Sequence, residues 1–153
     1  MWDETLERGL FDNPTAAERL IIEITETAPW EDPCKVADFM MRMDALGCAF
    51  ALDDFGAGNT AFRYFKDFFF DIVKIDGSFI RDIHKDRDNQ VLADALRRIA
   101  HHFDMFTVAE YVETEQDAEY LVRSGIDCLQ GFLFGAPAAV PRRPIPLRSS
   151  RIA

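Results

Sequence analysis

The sequence lacks the features that disulfide frameworks, membrane spans and secretion signals require. Its three cysteines, Cys34, Cys48 and Cys128, are far apart and odd in number, so they indicate neither a disulfide framework nor a metal-binding cysteine pair. Cys48 and Cys128 lie in apolar stretches, and we expect both to be buried. No run approaches the roughly 18 to 20 apolar residues that span a bilayer, and no basic start precedes an N-terminal apolar stretch. A cytoplasmic location is the simplest expectation.

Positive charge is also in deficit, with 17 Lys and Arg against 27 Asp and Glu and a formal net charge of −10. A field of this sign repels nucleic acid backbones and anionic membranes, so neither is an expected partner. It also opposes a phosphate ligand unless bound cations reverse the charge locally. The chain of 153 residues is 48% hydrophobic and has 14 Phe, which is enough for the core of one domain or of a large piece of one.

Short β-type runs alternate with helical segments along the chain. Residues before 20 predict a short helix, a turn at Asn13-Pro14 and a second helical turn. Glycines at 47 and 125 are placed to end two of the later helices. The predicted strands are 20–24, 48–52, 71–75, 106–109 and 128–133. The helices predicted between them are 36–46, 88–102 and 115–124. Five β runs separated by helices predict parallel strands in an α/β fold.

The last residues differ from this body. From Pro137 onward the chain carries four prolines and the arginines Arg142, Arg143, Arg148 and Arg151. We therefore interpret 1–137 as the folded part and 138–153 as a mobile Pro- and Arg-containing tail. A contact between this tail and an acidic partner is the alternative.

Polar residues concentrate where the predicted strands end. The carboxyl ends of parallel strands lie at one edge of a sheet or barrel, where ligands bind. Each residue alone has an ordinary explanation, such as a helix N-cap for Asp54 or a structural salt bridge for Lys74. Together they predict one site, made of Glu23 and Glu26 (first strand), Asp53 and Asp54 (second), Lys74 and Asp76 (third), Glu110 and Glu113 (fourth) and Gln130 (fifth).

Metal ions are the expected solution to this crowding of carboxylates, which repel one another unless they are protonated or neutralised. The predicted set holds no histidine, because His84, His101 and His102 fall in or near the helix after the third strand and are expected at the surface. Oxygen ligands favour Mg²⁺, Mn²⁺ or Ca²⁺ over zinc. Two such ions about 3.5 to 4 Å apart suit in-line attack on a phosphodiester.

Five segments in order and spacing resemble the C-terminal part of an EAL domain, over roughly residues 6 to 137. These segments are Glu23-Ile24-Thr25-Glu26-Thr27, Asp53-Asp54-Phe55-Gly56-Ala57-Gly58, Lys74-Ile75-Asp76-Gly77-Ser78-Phe79-Ile80, Ala109-Glu110-Tyr111-Val112-Glu113-Thr114 and Leu129-Gln130-Gly131-Phe132-Leu133-Phe134-Gly135. The resemblance implies a (β/α)8 TIM-type barrel, here incomplete with about five βα units. It also implies hydrolysis of the second messenger cyclic di-GMP to linear pGpG, with Mg²⁺ or Mn²⁺ as cofactor.

The resemblance further implies a role for each matched position. Glu23, Asp53 and Asp54 correspond to metal ligands, Lys74 to a lysine near the attacking water and the phosphate, and Glu110 to the general base. The expected substrate-binding or supporting positions are Glu26 (which would anchor the loop after the second strand), Asp76, Tyr111, Glu113 and Gln130. The loop 55–64 resembles one that links the metal site to dimerisation, so cyclic di-GMP, a second copy of the chain and an upstream sensor or GGDEF domain are the expected partners.

The chain also departs from the family pattern. Two metal ligands of the family are not among these residues. They are the glutamate of the Glu-Ala-Leu motif and an asparagine on the strand that follows the motif. Tyr111 stands where the family has glycine, and Ala136 where a basic residue precedes Pro137. Five strands cannot close a barrel that typically needs about 250 residues. We therefore expect the chain alone to be impaired in catalysis and to self-associate through its open edges.

Three hypotheses stay open at this point. The first is an EAL phosphodiesterase fragment. The second is a degenerate EAL module that senses cyclic di-GMP or binds a protein without turnover. The third is an unrelated acidic α/β metal enzyme such as a phosphatase.

Overall fold

The computed structural model describes residues 2–26, 32–57 and 65–137. In these ranges five parallel strands form one sheet, in which each strand pairs with the next along the chain. Because the strand order follows the sequence and all pairs are parallel, the sheet grows in one direction, as the wall of a (β/α)8 barrel does. The strands are β1 (Ile21–Thr25), β2 (Ala49–Phe55), β3 (Ile72–Ile75), β4 (Phe106–Ala109) and β5 (Cys128–Leu129).

The helices begin and end at residues suited to their termini. Asp32, Asp86 and Thr114 are N-caps whose side chains accept hydrogen bonds from backbone N–H groups of the first turn. Gly47 and Gly125 have positive φ (96° and 86°) just past two helix ends, as predicted. The described helices are α1 (Trp2–Phe11), α2 (Pro14–Ala17), α3 (Pro33–Ala45), α4 (Gly77–Ile80), α5 (Arg87–His102) and α6 (Glu115–Ser124).

The hydrophobic core joins one face of the sheet to the helices. Its strand residues include Leu52, Val73 and Ile75, all fully buried, and its helical residues include Met43 and Leu121. The burial of these side chains is the main force that fixes each helix on the sheet.

The opposite face of the sheet is partly open in the described chain. Phe106 of β4 is 62% exposed while Thr107, its neighbour on the other face, is fully buried. Ile21 and Glu23 of β1 are exposed in the same alternating pattern. In a closed barrel this face would point to the interior, so its exposure is consistent with an incomplete barrel.

Several predicted boundaries were wrong. β2 does not stop at Leu52 but runs through Asp53 and Asp54 to Phe55, because a register shift lets Phe55 pair with Ile75. The register shift lies between Leu52 and Phe55, and within it Asp54 has a left-handed backbone conformation with a φ of 56°.

β5 ends at Leu129, so Gln130 follows the strand instead of lying in it. The chain then turns, with the N–H of Phe134 donating to the carbonyl of Gly131 at 3.1 Å, and the N–H of Leu133 donates to the carbonyl of Val112 at 3.1 Å. Cys128, predicted to be buried, is exposed, whereas Cys48 is buried as predicted. The helix α4 was not predicted.

Sequence spacing predicts that Val91, Leu92, Ala95, Leu96 and Ile99 form the buried face of α5, and this prediction was right for Leu96 but wrong for Val91 and Leu92. Val91 and Leu92 are exposed, and the buried positions are Ala93, Leu96 and Ala100.

Among the described helices, none combines the length and apolar character needed to cross a membrane. The predicted tail 138–153 and most of the loop 55–64 lie outside the described residues.

Candidate active site

A buried lysine lies at the centre of the carboxyl ends of the strands. The Nζ atom of Lys74 is 2.8 Å from Asp53 Oδ1, 2.9 Å from Glu110 Oε1 and 3.2 Å from Glu23 Oε1. The lysine side chain is only 7% exposed, whereas the Glu23 side chain is 49% exposed. The sequence predicted that these four residues converge, and the structure brings them together.

Strand register explains why they meet. Thr25 pairs with Asp53 across β1 and β2, and Lys74 pairs with Val108 across β3 and β4. The N–H of Glu110 donates to the carbonyl of Ile75 at 3.2 Å, which continues the ladder one residue past β4. Since side chains alternate between faces, Glu23, Asp53, Lys74 and Glu110 all point to the open face of the sheet.

Burial and charge act in opposite directions on Lys74. Burial alone lowers the pKa of the ammonium group, but the carboxylates of Asp53 and Glu110 more than offset this and raise it above its ordinary value. Lys74 is therefore a permanent cation at neutral pH.

Burial also raises the pKa of Glu110, and Lys74 offsets part of that rise. Burial likewise raises the pKa of Asp54, with further increases from the nearby charges of Asp53 and Asp76. Both groups are therefore easier to protonate than exposed carboxylates.

Three carboxylates are close enough to share a cation. Asp53, Asp54 and Glu110 each offer one oxygen within 4.8 Å of the others. Asp53 Oδ1 is buried and lies 2.8 Å from Lys74 Nζ, and a carboxylate oxygen in an ion pair keeps a further lone pair for a cation. A buried oxygen in this state suits a metal ligand, and the all-oxygen set fits Mg²⁺, Mn²⁺ or Ca²⁺.

Glu26 reaches the loop after β2. Its Oε2 accepts a hydrogen bond from the N–H of Gly56 at 3.1 Å, and the residue is only 3% exposed. Its own N–H donates to the carbonyl of Asp53 at 3.0 Å. These contacts have the geometry that an anchoring role requires.

A pocket of about 230 Å³ opens beside Glu110. Two backbone hydrogen bonds shape it, from the N–H of Val112 to the carbonyl of Gln130 at 3.0 Å and from the N–H of Gln130 to the carbonyl of Ala109 at 2.8 Å. The residues that line it are Glu110, Tyr111, Glu113, Gln130, Gly131 and Phe132. The predicted positions 111, 113 and 130 are thus adjacent to Glu110.

Asp76 has a different place. Its side chain caps α4 by accepting a hydrogen bond from the N–H of Ser78 at 2.9 Å. The structure therefore shows a helix-capping contact for Asp76, close enough to Asp54 to affect its pKa.

Two residues beside Tyr111 were missed by sequence reasoning. Tyr111 has a φ of 55°, and its ring lies so close to Gly77 that a Cβ there would be 2.3 Å from Cδ2. The guanidinium carbon of Arg81 lies over the ring, 4.8 Å from its centroid. Sequence offers no signal for these contacts, since they join β4 to α4 across the fold.

Sequence reasoning also missed a group of hydrogen bonds around Asp117, at the start of α6. Asp117 is 3% exposed and accepts hydrogen bonds from Thr114 Oγ1 at 2.7 Å and from the His84 backbone N–H at 3.0 Å. The His84 ring nitrogen Nδ1 is 2.7 Å from the same carboxylate. The Thr-x-x-Asp spacing is a capping pattern and could have revealed part of this group.

The fold and the site together define the class, an α/β protein of the TIM-barrel type with an acidic site at the carboxyl ends of its strands. The EAL domain family is matched over residues 3–137. The chain belongs to the EAL domain family.

Individual relatives agree with this assignment. The cyclic di-GMP phosphodiesterase PdeF of Escherichia coli K12 is 36% identical over 121 residues, or 79% of this chain and 16% of PdeF. The EAL domain of Mycobacterium smegmatis DcpA superposes with a TM-score of 0.73 at 32% identity, over 76% of this chain and 52% of that one.

A third relative was solved with cyclic di-GMP and metal ions. BlrP1 of Klebsiella pneumoniae, as a manganese and cyclic di-GMP complex, has a TM-score of 0.74 at 31% identity, over 80% of this chain and 31% of that one. Its calcium and cyclic di-GMP complex has a TM-score of 0.77 at 30% identity, over 86% and 34%. The chain thus spans about half of the solved DcpA EAL domain and a much smaller share of the longer relatives.

Proposed function

We propose that this chain is the C-terminal half of an EAL phosphodiesterase domain that hydrolyses cyclic di-GMP to pGpG. The observation that carries the proposal is the convergence of Asp53, Asp54 and Glu110 within 4.8 Å, next to the buried cation Lys74. A phosphodiester is an anion, so an acidic site can bind it only with the help of cations. The relatives PdeF and BlrP1 are named for this nucleotide or were solved with it.

Asp53 and Asp54, with Glu23 as a further expected ligand, would hold Mg²⁺ or Mn²⁺. A bound divalent ion would supply a Lewis acid for the phosphoryl oxygen. The all-oxygen donor set supports this choice, as does the manganese complex of BlrP1.

Hydrolysis to pGpG would form a P–O bond to the attacking water and break one P–O3′ bond of cyclic di-GMP, and the released 3′-oxygen would take a proton from solvent. The chain's own groups would act on the attacking water and on the phosphate. Glu110, whose carboxylate lies 2.9 Å from Lys74 Nζ and close to Asp53 and Asp54, would take a proton from the attacking water. Lys74, held in place by Glu23, Asp53 and Glu110, would offset negative charge near the phosphate. A cytoplasmic location fits a soluble second messenger as substrate.

An inactive module that binds cyclic di-GMP is the second candidate. Two observations favour it: Lys74 is already engaged by three carboxylates, and the chain covers about half of a solved EAL domain. A second copy of the chain, or further EAL strands of a longer protein, would then cover the open barrel, and an upstream sensor or GGDEF domain stays an expected partner. The open sheet face with Phe106 supports such an association.

The first experiment is incubation of the purified chain with cyclic di-GMP and Mg²⁺ or Mn²⁺, with products resolved by chromatography. We expect pGpG to form slowly, since two expected metal ligands are not among these residues, and we expect Glu110→Ala to abolish its formation. Glu119→Ala is the matched control, because it makes the same chemical change on the exposed surface of α6. Binding of cyclic di-GMP without product would support the inactive module instead, and absence of binding would contradict both candidates.

A further inference from the structure

Arg81 stacks on Tyr111, a residue that lines the active-site pocket, and it has no carboxylate partner among the described residues. Its guanidinium lies over the ring of Tyr111, 4.8 Å from the centroid. Lys74, by contrast, has three carboxylates around its ammonium group. The hydrogen-bond donors of Arg81 are therefore available to a ligand in a way that those of Lys74 are not.

Tyr111 supports Arg81 at a structural cost. Its φ of 55° lies in the left-handed region, which is unfavourable for a residue with a bulky side chain. The residue is also 48% exposed, so core packing does not account for its presence. Strained residues of this kind concentrate at functional sites.

Gly77 makes the contact possible. A Cβ at this position would lie 2.3 Å from Tyr111 Cδ2 and 2.6 Å from Cγ, so the absence of a side chain leaves room for the ring. Gly77 is the first residue of α4, and Arg81 directly follows its last residue. The N–H of Arg81 donates to the carbonyl of Gly77 at 3.0 Å. The ring is therefore fitted to α4 and holds the arginine that follows it.

Tyr111 links Arg81 to the pocket beside Glu110. It directly follows Glu110, and both residues line the pocket of about 230 Å³. This volume is below the roughly 300 to 1,000 Å³ of sites that enclose a drug-sized ligand. The pocket therefore suits one ring system of a dinucleotide, which leaves a phosphate at its edge.

We propose that Arg81, held on the ring of Tyr111, is a phosphate-binding residue of this site. The inference rests on the proposed function, since it needs a nucleotide in the pocket. A guanidinium offers five N–H donors in one plane and can donate two parallel hydrogen bonds to a phosphate while its face stays on the aromatic ring.

Calorimetric titration of the chain with cyclic di-GMP in Ca²⁺ tests the proposal, with guanosine as the probe without phosphate. We expect Arg81→Ala to weaken cyclic di-GMP binding about 10- to 100-fold and to make it less sensitive to salt. Guanosine binding should be unchanged. Arg123→Ala is the matched control, since it removes the same charge from an exposed position in the last turn of α6.

Variants of the supporting ring separate phosphate binding from simple packing. Tyr111→Phe keeps the ring and should keep most of the affinity, whereas Tyr111→Leu removes the ring and should lose most of what Arg81→Ala loses. Arg81→Lys should give an intermediate affinity, because it keeps the charge but loses the planar fork. Arg81→Gln gives a second neutral variant, and circular dichroism checks that each variant is folded.

Each outcome decides one of the two proposals. If the wild-type chain binds cyclic di-GMP and Arg81→Ala binds it as tightly as Arg123→Ala does, the role of Arg81 is overturned while the proposed function stands. An equal loss of guanosine and cyclic di-GMP affinity in Arg81→Ala would also overturn it, because the residue would then act through structure alone. Absence of cyclic di-GMP binding by the wild-type chain overturns both.

Discussion

The contact between Gly77 and Tyr111 can be tested by a pair of substitutions whose effects should not add. We predict that Gly77→Ala destabilises the wild-type chain but not a chain that also carries Tyr111→Gly. The physical reason is steric. A Cβ at position 77 would lie 2.3 Å, 2.6 Å and 2.8 Å from Cδ2, Cγ and Cβ of Tyr111.

The magnitude follows from these distances. Carbon atoms prefer separations of about 3.5 to 4.0 Å, and the overlap reaches the base of the tyrosine side chain, so a rotation of the ring alone cannot relieve it. Insertion of one carbon into a space this tight costs about 1 to 3 kcal/mol. Without the ring the sign reverses, because alanine is favoured over glycine in a helix by about 1 kcal/mol and Gly77 does not have positive φ.

Urea unfolding of the four chains measures the coupling directly. The free energy of interaction between the two positions should be about 2 to 3 kcal/mol. At a slope of about 2 kcal/mol per M this is a difference of about 1 M in the unfolding midpoint. Gly9→Ala is the control for a glycine-to-alanine change in a helix, since nothing lies within 4 Å of a Cβ at that position.

The result that would refute this reasoning is equal destabilisation by Gly77→Ala with and without the tyrosine ring. Position 77 would then be limited by its backbone and not by Tyr111. The support that the ring gives to Arg81 would lose its structural basis as well.

Three further predictions concern the same half of the fold. Gly131→Ala should destabilise the chain by about 3 kcal/mol, because its Cβ would lie 2.2 Å from the carbonyl oxygen of Val112, a backbone atom that cannot rotate away. Lys74→Met should cost about 3 kcal/mol in the absence of metal, since it leaves buried carboxylates without their cation, and Mn²⁺ should restore the melting temperature of this variant more than that of the wild type. Asp117→Asn should cost about 1 to 3 kcal/mol at neutral pH. Burial by itself raises the pKa of the Asp117 carboxyl. The hydrogen bonds from Thr114 and His84 lower this pKa by more than burial raises it, so it lies below its ordinary value. The stability that Asp117 contributes is therefore full above about pH 4 and is lost as the pH falls through the lowered pKa.

Each of these predictions has a clear contrary result. A melting temperature of Gly131→Ala equal to that of Gly9→Ala would mean that the turn after β5 is loosely packed. Equal responses of the wild type and Lys74→Met to Mn²⁺ would mean that the lysine and a metal ion do not share the carboxylates. For Asp117→Asn, a destabilisation that stays the same in urea titrations at pH 7 and pH 3 would show that its charge is not involved.

Much of the candidate site could be predicted from the sequence, and the reason is geometric. Parallel strands align their carboxyl ends, so residues that close successive strands must meet whatever the details of packing. On that basis the sequence predicted that Lys74 lies beside Glu23, Asp53 and Glu110. In the structure all three carboxylates are within ion-pair distance of Lys74 Nζ. The roles assigned to them stay predictions.

Other features could not be predicted, because they depend on contacts between distant segments. The register shift that carries β2 through Asp54 to Phe55 depends on pairing with Ile75 of β3. The exposure of Cys128 depends on which face of β5 meets the helices, and a two-residue strand has no periodicity to show it. The match between Tyr111 and Gly77 joins residues 34 positions apart in the sequence.

The sequence by itself determined the kind of protein this is: an acidic, parallel α/β chain with the motifs of an EAL domain at its strand ends. Hydrophobic periodicity and strand-end residues are local properties, so they can be read one segment at a time. Only the tertiary structure decided that Lys74 acts as the shared counterion of three carboxylates and that Arg81 stands over Tyr111 beside Glu110. Charge pairing and steric fit act between atoms a few ångströms apart, and only the folded chain brings those atoms together.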